Sequence, residues 1–142
     1  MSGSAAGELV VRTDCVPTRA QVLALYLANE WSSAEKPDAL MQALEGSDCV
    51  ATAWLGDELV GLANALSDGA LVVYYPHMLV SPKHHRRGVG RAIMQAMHAR
   101  YGHLHQQILV ADEPAVPFYE SMGFEIAPKT RPMWIYDGDD HD

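Results

Sequence analysis

A basic, glycine-containing segment between a strand-like run and a helical pattern is the feature that most constrains this chain. Residues 71–80 form an almost continuous apolar run, and apolar residues over 88–101 recur with the spacing of one helix face. Gly88 and Gly90 leave room beside the backbone at this junction, and free N–H groups at a helix start attract anions. Three further side chains add positive charge around it: Arg86, Arg87 and Arg91.

This junction predicts a site for a phosphate or pyrophosphate group. It differs from a Walker loop, because it contains no Gly-Lys-Ser/Thr sequence. It also differs from the dinucleotide-binding fingerprint, because Ile93 occupies the third glycine position. A plainer interpretation is that the glycines only make a tight turn and that the arginines are solvated.

The net charge favours a single anionic ligand over a nucleic acid. The chain has 18 acidic and 10 basic residues, which gives a formal net charge of −8 with histidine neutral. Because phosphate neutralisation supplies most nucleic-acid affinity, this balance argues against a general nucleic-acid-binding protein. Basic side chains concentrate in residues 83–91, and acidic side chains concentrate in residues 137–142. One short basic segment in an acidic protein is typical of a site for one anion.

Length and composition predict a single cytoplasmic domain. The 142 residues suit one domain, with residues 1–7 expected as a flexible N-terminus and residues 137–142 as an acidic tail. No apolar run approaches the roughly 20 residues of a membrane helix, and the first residues do not resemble a secretory signal. Cys15 and Cys49 are too few for a disulfide framework, so both are expected to be reduced.

Periodicity and turn signals predict the order β, α, α, three antiparallel strands, α, β, α and β, which is an α+β or mixed-sheet α/β domain. Thr18 and Gln21 form a capping box before a helix that continues to about Asn29. Pro76 interrupts the long strand expected over 71–80 and implies a bulge or an opening, because proline cannot donate to a ladder. The other expected strands are 8–12, 49–55, 59–66, 107–110, 124–126 and 133–136, and the other expected helices are 39–44, 88–101 and 115–122.

Two spaced motifs resemble those of the GNAT superfamily of N-acetyltransferases. Residues 85–90, His-Arg-Arg-Gly-Val-Gly, are similar to its Gln/Arg-x-x-Gly-x-Gly/Ala motif, with His85 at the Gln/Arg position. Residues 112–124 are similar to its Asn-x-x-Ala-x-x-Phe/Leu-Tyr-x-x-x-Gly-Phe motif, with Asp112 at the Asn position. The resemblance covers about residues 50–136. It implies a mostly antiparallel twisted sheet, splayed between its fourth and fifth strands and flanked by about four helices.

The resemblance also implies acetyl-CoA as the cosubstrate. Its pyrophosphate is expected on the backbone amides of residues 86–91, and its pantetheine arm is expected beside Leu79 and Val80. Phe118 is expected to pack partly against it. The full set of expected cofactor-binding residues is Leu79, Val80, His85, Arg86, Arg87, Gly88, Val89, Gly90, Arg91, Asp112 and Phe118.

Acetyl transfer to an amine needs a base for the ammonium, donors for the oxyanion and a proton for the leaving thiolate. The resemblance places Tyr119 near the CoA sulfur, so it is the expected general acid; packing between helix and sheet is the alternative. His77 is the candidate base, because imidazole has an unperturbed pKa of about 6.5. A structural, hydrogen-bonded His77 is the alternative, with a chain of water molecules held by Tyr74 and Tyr75 in place of the histidine base. Backbone N–H groups near Val80 are the expected oxyanion donors.

The resemblance implies direct transfer of acetyl to an amine in a ternary complex. The acidic surface favours a cationic acceptor, either a small primary amine, which is the predicted substrate, or a lysine side chain. The histidines lack the spacing of a metal site, so no metal is expected. Family habit implies a homodimer. The competing interpretation is a catalytically silent acyl-CoA-binding sensor or interaction module of the same fold. The candidates for the acceptor end are Trp31, Ser32, Ser33, Trp134 and Tyr136.

Overall fold

A six-stranded sheet with four α-helices forms the part of the chain that the computed structural model describes, residues 7–139. Most of the expected flexible N-terminus and the last three residues of the expected acidic tail lie outside this range. The strands are β1 (Leu9–Arg12), β2 (Cys49–Leu55), β3 (Glu58–Ser67), β4 (Val72–Tyr74), β5 (Met78–Val80) and β6 (Gln106–Ile108). The helices are α1 (Arg19–Ala28), α2 (Pro37–Glu45), α3 (Val89–Tyr101) and α4 (Val116–Ser121).

Local sequence signals account for where the first helices begin. The Thr18 hydroxyl accepts a hydrogen bond from the Gln21 backbone N–H at 3.2 Å, and the Gln21 side chain accepts one from the Thr18 N–H at 3.0 Å. This reciprocal pair satisfies two N–H groups that have no partner within the helix. Pro37 stands at the first position of α2, where its missing N–H costs nothing. The predicted capping box is therefore confirmed.

The sheet is mixed and mostly antiparallel, as predicted. The hydrogen-bonded order is β1-β2-β3-β4-β6, and β5 pairs with β3 beside β4. Every pairing is antiparallel except that of β4 with β6. The single long strand expected over 71–80 is wrong: it is divided into β4 and β5 around Pro76. The predicted opening at this proline is confirmed, because β6 pairs with β4 and not with β5.

The last two expected strands are a second correction. Residues 124–126 and 133–136 are not in strands, and Met133 and Ile135 are 94% and 107% exposed. Apolar residues form a strand only where a neighbouring strand offers a ladder, and prolines at 128 and 132 remove two of the N–H donors in this region. The adjacent strand β6 also ends at Ile108, two residues before the expected end.

Two helical layers cover opposite faces of the sheet. On one face, Ile93, Met94 and Met97 of α3 are fully buried in a cluster with small side chains of β2 and β3. On the other face, α1 and α2 bury a second cluster that contains Tyr26 and Leu62. Both helical layers thus pack against the sheet that opens between β5 and β6.

Gly61 of β3 allows α3 to approach the sheet closely. A methyl group there would lie 2.7 Å from Ile93 Cδ1 and 2.8 Å from Val89 Cγ1. We expect Gly61→Ala to lower the free energy of unfolding by about 1–3 kcal/mol, because overpacking forces side chains or the helix to shift. Chemical denaturation measures this change. Adding Ile93→Val, which removes the Cδ1 atom, should recover part of the loss; a double variant no more stable than Gly61→Ala would contradict this explanation.

Candidate active site

The loop before α3 presents an open, basic helix start. Gly88 is the N-terminal cap residue of α3, and no side chain caps the first turn. Gly88 has a φ of 80° and Arg86 a φ of 65°, so the loop uses two left-handed residues to turn into the helix. A Cβ atom at Gly88 would have no atom within 4 Å, which leaves space beside the backbone. Backbone N–H groups, the helix dipole and arginine side chains thus share one accessible surface.

Three of the expected cofactor-binding residues also have structural contacts. The His85 ring Nε2 lies 3.0 Å from the Val80 carbonyl oxygen, so His85 holds the loop to the end of β5. Arg91 donates to the Ser121 hydroxyl at 3.2 Å and links α3 to α4. A Cβ atom at Gly90 would lie 3.2 Å from the Phe118 ring, so this glycine permits the contact between α3 and α4. The Gly90–Phe118 contact is a packing role that the motif alone does not reveal.

A cleft of about 690 Å³ lies where the sheet opens between β5 and β6. It brings together the two expected catalytic residues, Tyr119 and His77, with Asp112. The loop residues 85–91 and Phe118 do not line it, nor do Leu79 and Val80; the Leu79 side chain is buried in the α1–α2 layer instead. The other residues around the cleft are Trp31, Ser32, Ser33, Glu35, Lys36, Tyr74, Tyr75, Pro76, Met78, Met94, Leu109, Val110, Ala111, Ala115, Trp134, Tyr136, Asp137, Gly138 and Asp139.

Tyr119 on α4 is held by aromatic contacts at the side of the cleft. Its ring lies edge-on to Phe118 and Phe124, with ring centroids 5.0 and 6.0 Å apart. Burial and the negative charge of Asp112 raise the pKa of the Tyr119 phenol to about 12. The phenol therefore keeps its proton at neutral pH and can donate it to a developing anion.

His77 also lines the cleft, where three neighbours fix it. The hydroxyl of Tyr26, a residue 0% exposed, lies 2.8 Å from His77 Nδ1. The His77 backbone donates to Asn64 Oδ1 at 3.0 Å and accepts from the Asn64 N–H at 3.1 Å. The Trp31 ring meets the imidazole edge-on, with centroids 5.1 Å apart. Burial raises the pKa of Tyr26, so this group stays a neutral phenol.

Sequence reasoning missed the residues that position His77. Tyr26 was part of the apolar pattern of α1, and Asn64 lay in the strand-like run of β3, so neither had a local signal of function.

The hydroxyl of Tyr75, a candidate for holding water molecules, already has a hydrogen-bond partner in the structure. This buried hydroxyl donates to Gln107 Oε1 at 2.7 Å, which ties β4 to β6 at the opening.

The residues expected at the acceptor end lie where distant segments of the chain contact one another. The five residues expected there all line the cleft. The Tyr136 hydroxyl lies 3.1 Å from the Ser32 hydroxyl, and Asp137 forms an ion pair with Lys36. Residues 136–137 thus bridge to the connection between α1 and α2. Trp134 stacks on Tyr136 at 4.7 Å with an interplanar angle of 16°.

Residues 7–139 contain neither a cluster of metal-ligating side chains nor a membrane-spanning helix. No group of three or more histidine, cysteine, aspartate or glutamate side chains in this range could hold a metal ion. No helix in the same range has both the length and the apolar character needed to cross a membrane.

Known proteins are similar to this chain over almost all of its described residues. A family model described as an acetyltransferase (GNAT) domain matches residues 13–132. The curated peptidyl-lysine N-acetyltransferase YiaC of Escherichia coli (strain K12) is 39% identical over 64 residues. That alignment covers 41% of this chain and 44% of YiaC, so the chain matches less than half of the length of this relative.

Solved structures extend the similarity to the complete architecture. The GNAT family protein SP0256 from Streptococcus pneumoniae TIGR4 has a TM-score of 0.80 and 30% identity, over 92% of this chain and 100% of that chain. The complex of aminoglycoside N-acetyltransferase AAC(6')-Iy with CoA has a TM-score of 0.67 and 15% identity, over 92% of this chain and 95% of that chain. At this lower identity the likeness concerns the fold alone.

Proposed function

The chain belongs to the GNAT family of acetyltransferases, and on this premise we propose that it transfers the acetyl group of acetyl-CoA to a primary amine. The observation that carries the proposal is the cleft at the opening of the sheet, which is lined by both Tyr119 and His77. The chain from β5 runs directly from this cleft to the basic loop before α3. The thioester of acetyl-CoA would thus lie in the cleft, and its pyrophosphate would lie on the adjacent loop.

The loop before α3 fits the pyrophosphate of acetyl-CoA. Its helix start has no side-chain cap, and the space at Gly88 admits a ligand atom close to the backbone. Arg86, Arg87 and Arg91 are exposed beside it and supply charge. When bound, acetyl-CoA supplies an activated acetyl group as a thioester. The remaining proposed contacts follow the motif positions: Leu79, Val80, His85, Val89, Gly90, Asp112 and Phe118.

The protein's own groups provide the proton transfers of a direct attack. In the proposed mechanism, His77 takes the proton from the acceptor ammonium at Nε2. This role requires the tautomer in which Nδ1–H donates to the Tyr26 oxygen, which lies 2.8 Å away. Tyr119 donates its phenolic proton to the leaving thiolate, because its raised pKa keeps that proton in place until an anion develops. Backbone N–H groups at the end of β5 stabilise the oxyanion. No covalent acetyl-enzyme is required by this arrangement.

The proposed acceptor is a small cationic amine. The cleft lining includes the carboxylates of Glu35, Asp112, Asp137 and Asp139, which attract an ammonium group. The bridge from Tyr136 and Asp137 to Ser32 and Lys36 limits the width of the acceptor end. YiaC is named for peptidyl-lysine, whose side chain also ends in a primary amine. A lysine-bearing peptide is therefore included in the test below.

We also propose that the protein is a cytoplasmic homodimer. Met133 and Ile135 belong to an exposed apolar stretch, and exposed apolar surface of this kind suits an interface with a second copy. Cys15 and Cys49 are both unpaired, which suits a reducing compartment. Sedimentation velocity of the full chain measures the oligomeric state directly.

Thiol release from acetyl-CoA tests the proposed function. The full chain is incubated with acetyl-CoA and, separately, with polyamines, arylalkylamines, amino sugars, amino acids and lysine-containing peptides. At least one amine should raise the rate of thiol release well above the amine-free rate. A silent acyl-CoA-binding module would bind acetyl-CoA, as measured by calorimetry, and release no thiol in response to any amine.

A further inference from the structure

Lys36 places a primary amine of the protein itself in the proposed acceptor end. The chain has three lysines, at positions 36, 83 and 129. Lys36 lines the same cleft as Tyr119 and His77, whereas Lys83 and Lys129 do not. Lys83 instead pairs with Glu58 at 3.0 Å, outside the cleft. One lysine therefore shares the cleft with the groups that would activate an amine.

The base of the Lys36 side chain is fixed while its amine is accessible. The Lys36 N–H donates to the Ser33 carbonyl at 3.1 Å, and its carbonyl accepts from the Leu40 N–H at 2.9 Å. These bonds hold the residue at the start of α2. The side chain itself is 62% exposed and carries its amine on a flexible four-carbon stem. The amine can therefore move within the cleft although its backbone is fixed.

Asp137 opposes reaction of this amine. The hydrogen bond and the charge of Asp137 raise the pKa of Lys36, and Lys36 in turn lowers the pKa of Asp137. An ammonium is not a nucleophile, so this pair holds Lys36 in its unreactive form. Reaction at Lys36 requires the pair to separate, which makes it slower than transfer to a free acceptor.

Resting on the proposed function, we propose that Lys36 is acetylated by the active site of its own chain when no other acceptor is present. The Lys36 ammonium leaves Asp137 and gives one proton to His77. Its nitrogen then forms a bond with the acetyl carbon, and the carbon–sulfur bond of acetyl-CoA breaks. The CoA thiolate takes the proton of Tyr119, and the second proton that the nitrogen loses restores the Tyr119 phenol. His77 then releases its proton to solvent. The products are acetyl-lysine, CoA and one proton released to solvent.

Acetylation would change the closure of the cleft. An acetylated Lys36 is neutral and cannot form the ion pair with Asp137. The described contact between Tyr136 and Ser32 would remain without the ion pair beside it. The acceptor end would then lose one of its two bridging contacts. Because Lys36 is proposed to be acetylated only when no other acceptor is present, this end of the cleft would open under that condition.

Mass spectrometry of the intact chain and its peptides tests the proposal. The purified wild-type protein is incubated with acetyl-CoA alone, and the acetyl group should accumulate on Lys36 in preference to Lys83 and Lys129. The fraction acetylated per unit time should not depend on protein concentration, because the reaction is intramolecular. Equal labelling of the three lysines would indicate chemical acetylation by the thioester and would overturn the proposal.

Three variants sharpen this result. Lys36→Arg should remove the label. Asp137→Asn should increase the labelling rate at Lys36 by about twofold or more, because a lower pKa gives more free amine. Tyr119→Phe should decrease labelling at Lys36 and leave the slow background at Lys83 unchanged. If isotopically heavy Tyr119→Phe protein becomes labelled when mixed with the wild type, the transfer is intermolecular and the proposal is wrong.

The same samples separate this proposal from the proposed function. If the wild type transfers acetyl to an added amine but leaves Lys36 unlabelled, self-acetylation is wrong and the proposed function stands. If neither added amines nor Lys36 receive acetyl, both proposals are wrong.

Discussion

Replacing Tyr119 with phenylalanine should lower turnover about a hundredfold or more while changing acetyl-CoA affinity little. The phenol is proposed to donate a proton to the thiolate as it leaves, and general acid catalysis typically contributes about a hundredfold or more. The ring that contacts Phe118 and Phe124 is retained, so packing of α4 is preserved. Steady-state rates of thiol release and calorimetric binding of acetyl-CoA measure the two quantities separately.

The pH dependence of this variant has a defined sign. The pKa of Tyr119 is raised to about 12, so the wild-type phenol is protonated throughout the neutral and mildly alkaline range. The defect of Tyr119→Phe should therefore be present at every pH in that range. A suitable control is Tyr101→Phe, which removes a phenol that is bonded to Asp48 and does not line the cleft. Equal turnover of Tyr119→Phe and wild type would exclude Tyr119 as the acid.

Replacing Gly88 with glutamate should abolish measurable binding of acetyl-CoA, with a loss of at least about a hundredfold in affinity. Two physical effects combine. A glutamate places a negative charge at the helix start, where the pyrophosphate is proposed to bind. Its side chain also fills the space that Gly88 leaves open. Isothermal titration calorimetry with CoA and acetyl-CoA measures the effect.

Gly69 offers a matched control for this substitution. It has a φ of 75°, close to the 80° of Gly88, and a Cβ atom there would also have no atom within 4 Å. Gly69→Glu therefore introduces the same charge and a similar backbone strain in the turn between β3 and β4. It should bind acetyl-CoA normally. Normal binding by Gly88→Glu would mean that the loop before α3 does not hold the pyrophosphate.

Features with a local sequence signal could be predicted. The capping box before α1 needs only Thr18 and Gln21, three positions apart, and the structure contains it. The turn into α3 is determined by the glycines and the apolar face that follows, and the helix begins at Val89. Pro76 marked the opening of the sheet because proline removes a ladder donor wherever it occurs.

Features that depend on distant partners could not be predicted. Tyr26 meets His77 across 51 positions, and Ser32 meets Tyr136 across 104 positions, without any periodicity that links them. The prediction of strands over 124–126 and 133–136 was wrong for the same reason, since an apolar pattern does not reveal whether the edge of a neighbouring strand is available for pairing. The cleft-lining residues Met78 and Met94 belong to a strand and a helix that both face the core, so their apolar pattern did not show that they also border the opening.

Product analysis with isotopically labelled acetyl-CoA tests directly whether this chain transfers acetyl to an amine. The full chain is incubated with acetyl-CoA labelled in the acetyl group and with the amine that raises thiol release most. One labelled N-acetyl amine is expected for each CoA released, and very little of either product is expected with Tyr119→Phe. Intact acetyl-CoA and unmodified amines after incubation with a chain that binds acetyl-CoA would contradict this expectation, and would identify a silent acyl-CoA-binding protein.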